Sequence, residues 1–298
     1  MNWIDLHIHS NASMDSQHTP ETLISMCAEK GVRVAVISDH NSVKNVKKGL
    51  ELGEKAGIEM IPAVELDCSH TGVELHILGY GIDYTQPVFA EINEKWDKLE
   101  FETSIKRAEL IRALGIQFDW DKVLELANGK PPTAEKIAQV ALADPRNDAL
   151  ELLRPYRKGG AKGESPYSGF WWDICAQGKP AYIKLEMMPA QRAIDIIHSA
   201  GGIAVLAHPG ANLGMNDTVV RALARLGLDG IEVFSSYHDS TKTAFYKDTA
   251  RELGLIMTLG SDYHGDTKPN IEIGEVFCDE PLDDIYAWFK EKLTERKG

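Results

Sequence analysis

The chain of 298 residues has little of what disulfide-bonded, membrane-bound and nucleic-acid-binding proteins depend on. Its four cysteines are scattered without a Cys-x-x-Cys pair, so neither a disulfide framework nor a thiolate zinc site is expected. No apolar run reaches the length of about 18 residues that a membrane span needs, and no basic-then-apolar leader opens the chain. Acidic residues outnumber basic ones, 45 to 32, and the charge of −13 argues against a general binder of nucleic acid or membrane surfaces. We therefore expect a cytoplasmic protein.

Short apolar segments alternate with amphipathic stretches along most of the chain. The amphipathic stretches have helical periodicity, and the first begins with Thr-Pro-Glu, a favourable helix start. Such alternation is typical of a parallel α/β sheet or barrel. Seven strands are predicted, at 3–10, 32–40, 58–66, 73–80, 201–210, 230–236 and 255–265.

Six of these seven segments carry His, Asp or Glu at or near their C-terminal ends. His7 and His9 are two residues apart, so in a strand they would project from the same face. A single histidine at a strand end is more often structural than a ligand, but six of the chain's ten histidines occur at such places. The C-terminal ends of barrel strands converge on one pocket, and imidazole and carboxylate ligands suit Mn, Fe and Zn. The candidate ligands are His7, His9, Asp15, His40, Glu65, His76, His208, Asp262 and His264.

Residues 87–185 interrupt the alternation. Three helices are predicted there, followed by the basic and aromatic stretch "RPYRKGGAKGESPYSGFWW". We interpret this segment as a mainly helical insertion that caps the C-terminal rim of the barrel. The expected barrel domain then comprises residues 1–86 and 186–298.

The motifs "DLHIHS", "ISDHN", "AVEL", "LHILGY", "GGIAVLAHPG" and "GSDYHG", in this order, resemble the PHP (polymerase and histidinol phosphatase) family. The resemblance covers about residues 1–84 and 180–270 and is greatest to the stand-alone bacterial metal-dependent phosphoesterases. It implies a distorted seven-stranded (β/α)7 TIM-like barrel with a trinuclear centre of divalent Mn, Fe or Zn, with Mg also open. The implied assignment is His7, His9, Glu65 and Asp262 for the first ion, Glu65, His76 and His208 for the second, and Asp15, His40 and His264 for the third.

The resemblance also implies a reaction, the hydrolysis of small-molecule phosphate esters. A hydroxide bridging two of the ions would attack phosphorus, with Asp262 positioning it and His238 as the general acid. His238 is alternatively a surface loop residue beside Asp239.

The insertion departs from the family pattern where many relatives have Arg-Pro-His-Ile-Ala. Here the stretch reads "PPTAEKIAQ", so the arginine is absent and Lys136 replaces the histidine. Lysine can bind phosphate as a point charge. Arg154, Arg157 and Lys158 either form a second phosphate site or lie on solvated surface, and the sequence leaves both open.

Three functions remain in view. The first is hydrolysis of a small phosphorylated substrate: a nucleotide, a nucleoside bisphosphate or a sugar phosphate, cyclic ones included. The second is an exonuclease-like phosphodiesterase acting on nucleic-acid ends, although the acidity of the chain disfavours a long nucleic-acid track. The third is a non-catalytic metal-binding module, which a missing ligand would favour, but all nine candidates are present. The oligomeric state is left open.

Overall fold

A computed structural model describes residues 1–297, which form two compact units. The first unit comprises 1–92, 187–265 and the described residues from 270 on, and the second comprises 93–186 and 266–269. The boundary near residue 92 lies inside a helix that begins at Pro87. The predicted insertion, 87–185, differs from the second unit in two ways. It begins where this helix begins, at residue 87, and it does not include residues 266–269.

The strands of the first unit form two sheets. Strands β1 (Ile4–Asp5), β2 (Val34–Ala35) and β3 (Glu59–Met60) pair in parallel, in that order. The second, mixed sheet has the order β6-β4-β5-β7-β8-β9. Its strands are β4 (Ala63–His70), β5 (Val73–Tyr80), β6 (Met188–Pro189), β7 (Ile203–Leu206), β8 (Gly230–Ser235) and β9 (Ile256–Gly260).

Backbone hydrogen bonds join the two sheets in two places. The N–H of Leu6 donates to the carbonyl of Leu259 at 2.9 Å, just beyond β1. On the other side the N–H of Asn41 donates to the carbonyl of Glu65 at 2.7 Å. Residues that follow β1, β2 and β9 are thereby held beside one another and beside β4.

The prediction of an all-parallel sheet is wrong at β5, which runs antiparallel to both β4 and β7. Thr71 and Gly72 form the two-residue turn between β4 and β5, with φ angles of 50° and 83°. Turns with two positive φ angles match the twist of a tight antiparallel hairpin. His76 consequently lies in the middle of β5, facing Asp67 of β4, and not at a C-terminal strand end.

The predicted strand 58–66 is also divided, into β3 and the start of β4, with Pro62 between them. Proline has no N–H to donate to a sheet, so the ladder is interrupted there.

Local signals explain where the helices of this unit begin and end. Thr19 caps the first helix by accepting from the N–H of Thr22, with Pro20 at its first position. Gly57 ends the second helix in the left-handed conformation. The helices are α1 (Pro20–Glu29), α2 (Val46–Ala56), α7 (Ala190–Ser199), α8 (Pro209–Asn212), α9 (Thr218–Arg225), α10 (Ser240–Leu253) and α11 (Leu282–Lys297), with α3 (Pro87–Ala113) leading into the second unit.

The second unit is mainly helical. Besides most of α3 it contains α4 (Trp120–Ala127), α5 (Ala134–Ala143), α6 (Pro166–Phe170) and short turns of helix at 145–147, 151–156 and 171–175. Ile111, Ile137, Leu153 and Phe170 are fully buried in an apolar core of its own. In the first unit the core is formed by the strands and by helices packed on them, such as α11, where Phe289 packs edge-on against Tyr80.

Within residues 1–297, none of the helices is both long and apolar enough to cross a membrane.

Candidate metal centre

Four side chains of the first unit converge on one point. The Nε2 atoms of His7 and His9 lie 3.0 Å apart, and each lies 3.0–3.2 Å from Glu65 Oε2 and Asp262 Oδ1. All four side chains are almost completely buried. These five distances are close to the edge of a tetrahedron whose corners lie about 1.9 Å from its centre, near the ~2.0–2.1 Å of a zinc–imidazole bond. The four atoms therefore have the spacing of a metal's ligand set.

The hydrogen bonds of the two imidazoles show which nitrogens carry protons. His7 Nδ1 donates to Glu232 Oε1 at 2.9 Å, so the neutral ring has its lone pair on Nε2. Ser13 Oγ lies 2.9 Å from Asp39 and gives its single proton to that carboxylate, so it accepts from His9 Nδ1 at 3.0 Å. When both rings are neutral, two Nε2 lone pairs face each other at 3.0 Å. A shared metal ion relieves this repulsion, and in the metal-free protein a second proton on His7 does so, because nearby carboxylates outweigh burial and hold the pKa of His7 well above its usual value.

Glu65 connects this group with a second one. Its other oxygen, Oε1, lies 3.2 Å from His76 Nδ1 and 3.3 Å from His208 Nε2. His208 Nδ1 donates to Asn212 Oδ1 at 3.0 Å, so the Nε2 lone pair of His208 is directed at Glu65. One carboxylate thus offers a separate oxygen to each of two neighbouring sites.

A third group adjoins the first, because the ring of His264 stacks on that of His9 with 4.0 Å between their centroids. His264 Nε2 is 3.2 Å and His40 Nε2 is 4.0 Å from Asp15 Oδ2. His264 Nδ1 donates to the carbonyl of Asp262 at 2.8 Å, which leaves its Nε2 as the nitrogen facing Asp15. The structure therefore brings all nine predicted ligand side chains into one cluster of three adjoining groups.

The electrostatics of the cluster call for bound positive charge. Burial would raise the pKa of Glu65, but the nearby His7, His40 and His76 hold it well below its usual range. Burial would lower the pKa of His40, but Asp67 and Glu65 raise it to about 10. Glu65 Oε2 accepts no hydrogen bond from any residue that the structure describes, although three imidazole nitrogens lie within 3.3 Å of it. The nitrogens are thus close to Glu65 Oε2 but are not oriented to donate hydrogen bonds to it. Imidazole and carboxylate groups arranged in this way fit divalent cations.

The backbone around β9 is shaped to position the cluster. Asp5 Oδ1, fully buried, accepts from the N–H of Ser261 at 2.9 Å and of His7 at 3.2 Å, which ties the ends of β1 and β9 together. Asp262 adopts a φ of 56°, a strained angle for a residue with a side chain. At Gly260 a Cβ atom would collide with His7 and with the carboxylate of Glu232. A side chain at that position would displace a predicted ligand.

Three polar residues of the cluster were not predicted from the sequence. Glu232 holds His7 through one oxygen and accepts the His208 N–H at 2.9 Å through the other. Tyr237 donates its hydroxyl to Asp262 Oδ2 at 2.6 Å. Asp67 lies 2.9 Å from His40 Nδ1. A signal existed for two of them, because Glu232 interrupts an apolar strand and Asp67 is two residues after Glu65, on the same face.

The structure does not favour His238 as the general acid. Its Nδ1 donates to the carbonyl of Val233 at 2.8 Å, and its Nε2 accepts from the N–H of Gly210 at 2.8 Å. The ring is almost completely buried and stacks on Tyr246. Burial lowers the pKa of His238, so the ring is neutral near pH 7. Both nitrogens are occupied by backbone groups, so His238 fixes the turn that follows His208, and it is not the surface residue of the alternative interpretation either.

The predicted substrate-binding residues all belong to the second unit. Lys136 is half-buried in the first turn of α5. Arg154 is exposed and pairs with Glu151 at 3.3 Å, and Arg157 pairs with Asp148 at 3.3 Å. Lys158 is exposed. The two arginines are thus engaged by acidic neighbours of their own unit, and phosphate binding by these residues stays a prediction.

The comparison with known protein families identifies the family of this chain. A sequence model of the PHP domain matches residues 5–159, just over half of the chain. The chain belongs to the PHP domain family. The matched region includes six of the nine clustered residues: His7, His9, Asp15, His40, Glu65 and His76.

Curated relatives of this PHP protein cover most of the chain. A "5'-3' exoribonuclease" of Haemophilus influenzae is 28% identical over 87% of this chain and 89% of its own. A "phosphoribosyl 1,2-cyclic phosphate 1,2-diphosphodiesterase" of Eggerthella lenta is 27% identical over 88% of this chain and 94% of its own. A "3',5'-nucleoside bisphosphate phosphatase" of Chromobacterium violaceum is 27% identical over 91% and 90%.

Solved structures show the same fold. A protein of Chromobacterium violaceum, described as an amidohydrolase with bound sulfate and no metal, superposes with a TM-score of 0.77. It is 24% identical, and the match covers 96% of each chain. The PHP protein thus has the α/β fold of these neighbours.

Proposed function

We propose that this PHP protein is a metal-dependent phosphoesterase that hydrolyses small phosphate esters at the cluster of the first unit. The observation that carries the proposal is the sharing of Glu65 between two groups of ligands, with His40 and His264 forming a third group beside them. Adjoining cation sites of this kind are what phosphoester hydrolysis uses. The three curated relatives named above all act on phosphoester bonds, which supports the same class of enzyme.

The cluster provides ligands for three divalent ions, with the assignment given by the family resemblance. When bound, such ions lower the pKa of a water molecule and neutralise charge that develops on phosphoryl oxygens. Their identity is proposed as Mn, Fe or Zn from the imidazole and carboxylate donors.

Residues behind the ligands keep them in the required state. Glu232 takes the Nδ1 proton of His7, and Asn212 takes that of His208, so that Nε2 of each ring is available as a ligand. Tyr237 holds Asp262 Oδ2, which leaves Oδ1 directed at His7 and His9. Backbone groups engage both nitrogens of His238, whereas the hydroxyl of Tyr237 directly contacts a predicted ligand, Asp262.

We further propose that the seven predicted strand segments make up a TIM-like barrel with a helical cap formed by 87–185. In the structure these segments are β1, β2, β3 together with β4, β5, β7, β8 and β9. The hydrogen bonds that join β1 to β9 and Asn41 to β4 support a closed arrangement. Lys136, Arg154, Arg157 and Lys158, all of the second unit, are proposed to bind phosphate groups of the substrate.

The substrate is proposed to be a nucleotide, a nucleoside bisphosphate or a cyclic or linear sugar phosphate. Two of the relatives support this, one named for a bisphosphate and one for a cyclic phosphate. An exonuclease-like activity on the ends of nucleic acid is the second candidate, because another relative is named an exoribonuclease. The charge of −13 favours short substrates over long ones.

Two measurements on the Mn-loaded protein test the proposal. Phosphate release is measured for nucleotides and bisphosphates, and the phosphomonoester products of cyclic phosphates and 5'-phosphorylated oligonucleotides are separated by chromatography. His208→Ala should abolish turnover of every substrate, because it removes a ligand that faces Glu65. His198→Ala is the matched control: His198 pairs with Asp229 at 2.8 Å, outside the cluster, so turnover should persist. Near-normal rates in His208→Ala, or hydrolysis undiminished by a chelator, would contradict the proposed function.

A further inference from the structure

Asp67 adds a carboxylate to the cluster beyond the nine predicted ligands. It lies on β4 two residues after Glu65, so its side chain projects from the same face of the strand. The residue is only 7% exposed. A carboxylate this well buried needs partners, and its partners indicate its role.

Both oxygens of Asp67 accept hydrogen bonds. Oδ1 lies 2.9 Å from His40 Nδ1, and Oδ2 accepts from Asn41 Nδ2 at 2.7 Å. The Asp67 N–H in turn donates to Asn41 Oδ1 at 3.1 Å. Two bonds to Asn41 therefore fix the orientation of the Asp67 carboxylate before His40 contacts it.

The Asp67 carboxylate determines which ring nitrogen of His40 carries the proton. Because Asp67 accepts the proton on Nδ1, the neutral, metal-binding form of the ring has its lone pair on Nε2, the nitrogen that faces Asp15 Oδ2 at 4.0 Å. Imidazole ligands commonly donate their second N–H to a carboxylate, which fixes the tautomer and the ring orientation. The opposite tautomer would direct a proton, and not a lone pair, toward Asp15 and His264.

We propose that Asp67 is a positioning residue, which holds His40 as the Nδ1–H tautomer and so completes the metal site formed with Asp15 and His264. This rests on the proposed metal centre. In this proposal Asp67 contacts the ligand His40 and does not bind a metal ion itself.

Asn is the most informative substitution for Asp67, because it changes the hydrogen-bonding groups of the side chain and keeps its shape. Asp67→Asn keeps the shape but offers one acceptor to two donors, Asn41 Nδ2 and His40 Nδ1. If the amide oxygen turns toward Asn41, its NH2 group faces His40, which must then accept on Nδ1 and carry its proton on Nε2. We expect one of three ions to bind about 10–100-fold more weakly in Asp67→Asn, with the other two unaffected.

Calorimetric titration of the metal-free protein with Mn²⁺ alone, with metal counts after gel filtration, measures this effect. Asp229→Asn is the matched control, because Asp229 accepts from a histidine, His198, in the same way but away from the cluster. Far-UV circular dichroism establishes that each variant is folded. Unchanged affinity for all ions in Asp67→Asn would overturn the proposal, and so would a fourth ion in the wild type that this variant loses.

A measurement on the wild type needs no substitution. In the Zn²⁺-loaded protein, nitrogen-15 NMR of the imidazoles should show His40 protonated at Nδ1 and bonded to metal through Nε2. A metal bond at Nδ1 would overturn the positioning role. A wild-type chain that binds no Mn²⁺ or Zn²⁺ would instead refute the proposed function itself, so the two failures are distinguishable.

Discussion

Asp262 combines a strained backbone with two differently used carboxylate oxygens. Its φ of 56° directs Oδ1 toward the Nε2 atoms of His7 and His9, while Oδ2 accepts the hydroxyl of Tyr237 at 2.6 Å. A strained residue persists only where its surroundings determine its conformation. The hydroxyl of Tyr237 is one of these determinants.

Replacing Tyr237 with Phe should therefore lower kcat by about tenfold or more with little change in KM, because a hydrogen bond to a charged group contributes roughly 1.5–3 kcal/mol. Steady-state kinetics of the Mn-loaded enzyme measure the effect. Tyr246→Phe is the control, since the Tyr246 hydroxyl donates to the carbonyl of Gly214, and it should leave kcat unchanged. Equal kinetics of the two variants would count against a role of Tyr237 at the site.

His238 provides a second prediction at this scale. A general acid contributes roughly 10²–10⁴-fold, and its loss removes the alkaline limb of the pH–rate profile. Because backbone groups engage both nitrogens of His238, we expect His238→Gln to lower kcat less than about tenfold and to keep that limb. Loss of the limb in this variant would restore the role predicted from the sequence.

At the scale of single elements, residue type and order predicted the cluster better than strand geometry did. The nine side chains were found because His, Asp and Glu follow apolar segments, and this pattern does not depend on strand direction. The direction of β5 was missed, although the Thr71-Gly72 turn is a hairpin signal. The sequence did not predict the roles of the residues that contact the ligands, which are Asp67, Glu232 and Tyr237. Their roles depend on which ligand each one contacts in space.

The close approach of β9 to the end of β1 yields a prediction of its own. Gly260→Ala should impair metal binding, because its Cβ would collide with His7 and Glu232. Metal counts after Mn²⁺ loading should fall below those of the wild type. Gly254→Ala is the control, because that glycine has a φ of 65° but open space around it. This change should lower the free energy of unfolding by about 1 kcal/mol and leave the number of bound metal ions unchanged. Full metal occupancy in Gly260→Ala would show that the two strands can separate without loss of the site.

For the whole molecule, the buried cluster links stability to pH and to metal. In the metal-free protein the pKa of His7 is well above its usual value and that of His40 is about 10, in both cases because nearby carboxylates outweigh burial. A group whose pKa is raised on folding stabilises the fold fully below its unfolded pKa, about 6.5 for histidine, and this contribution is lost as the pH rises through the folded value.

Metal-free protein should therefore unfold at progressively lower temperature between about pH 6.5 and pH 10. Metal-loaded protein should not follow this trend, since divalent ions replace the protons as the positive charge and bind the deprotonated ligands more tightly as the pH rises. Thermal unfolding followed by circular dichroism across this range, with and without Mn²⁺ below its precipitation limit, measures the difference. Parallel curves for the two forms would mean that the cluster does not depend on bound cations, and the proposed metal centre would have to be abandoned.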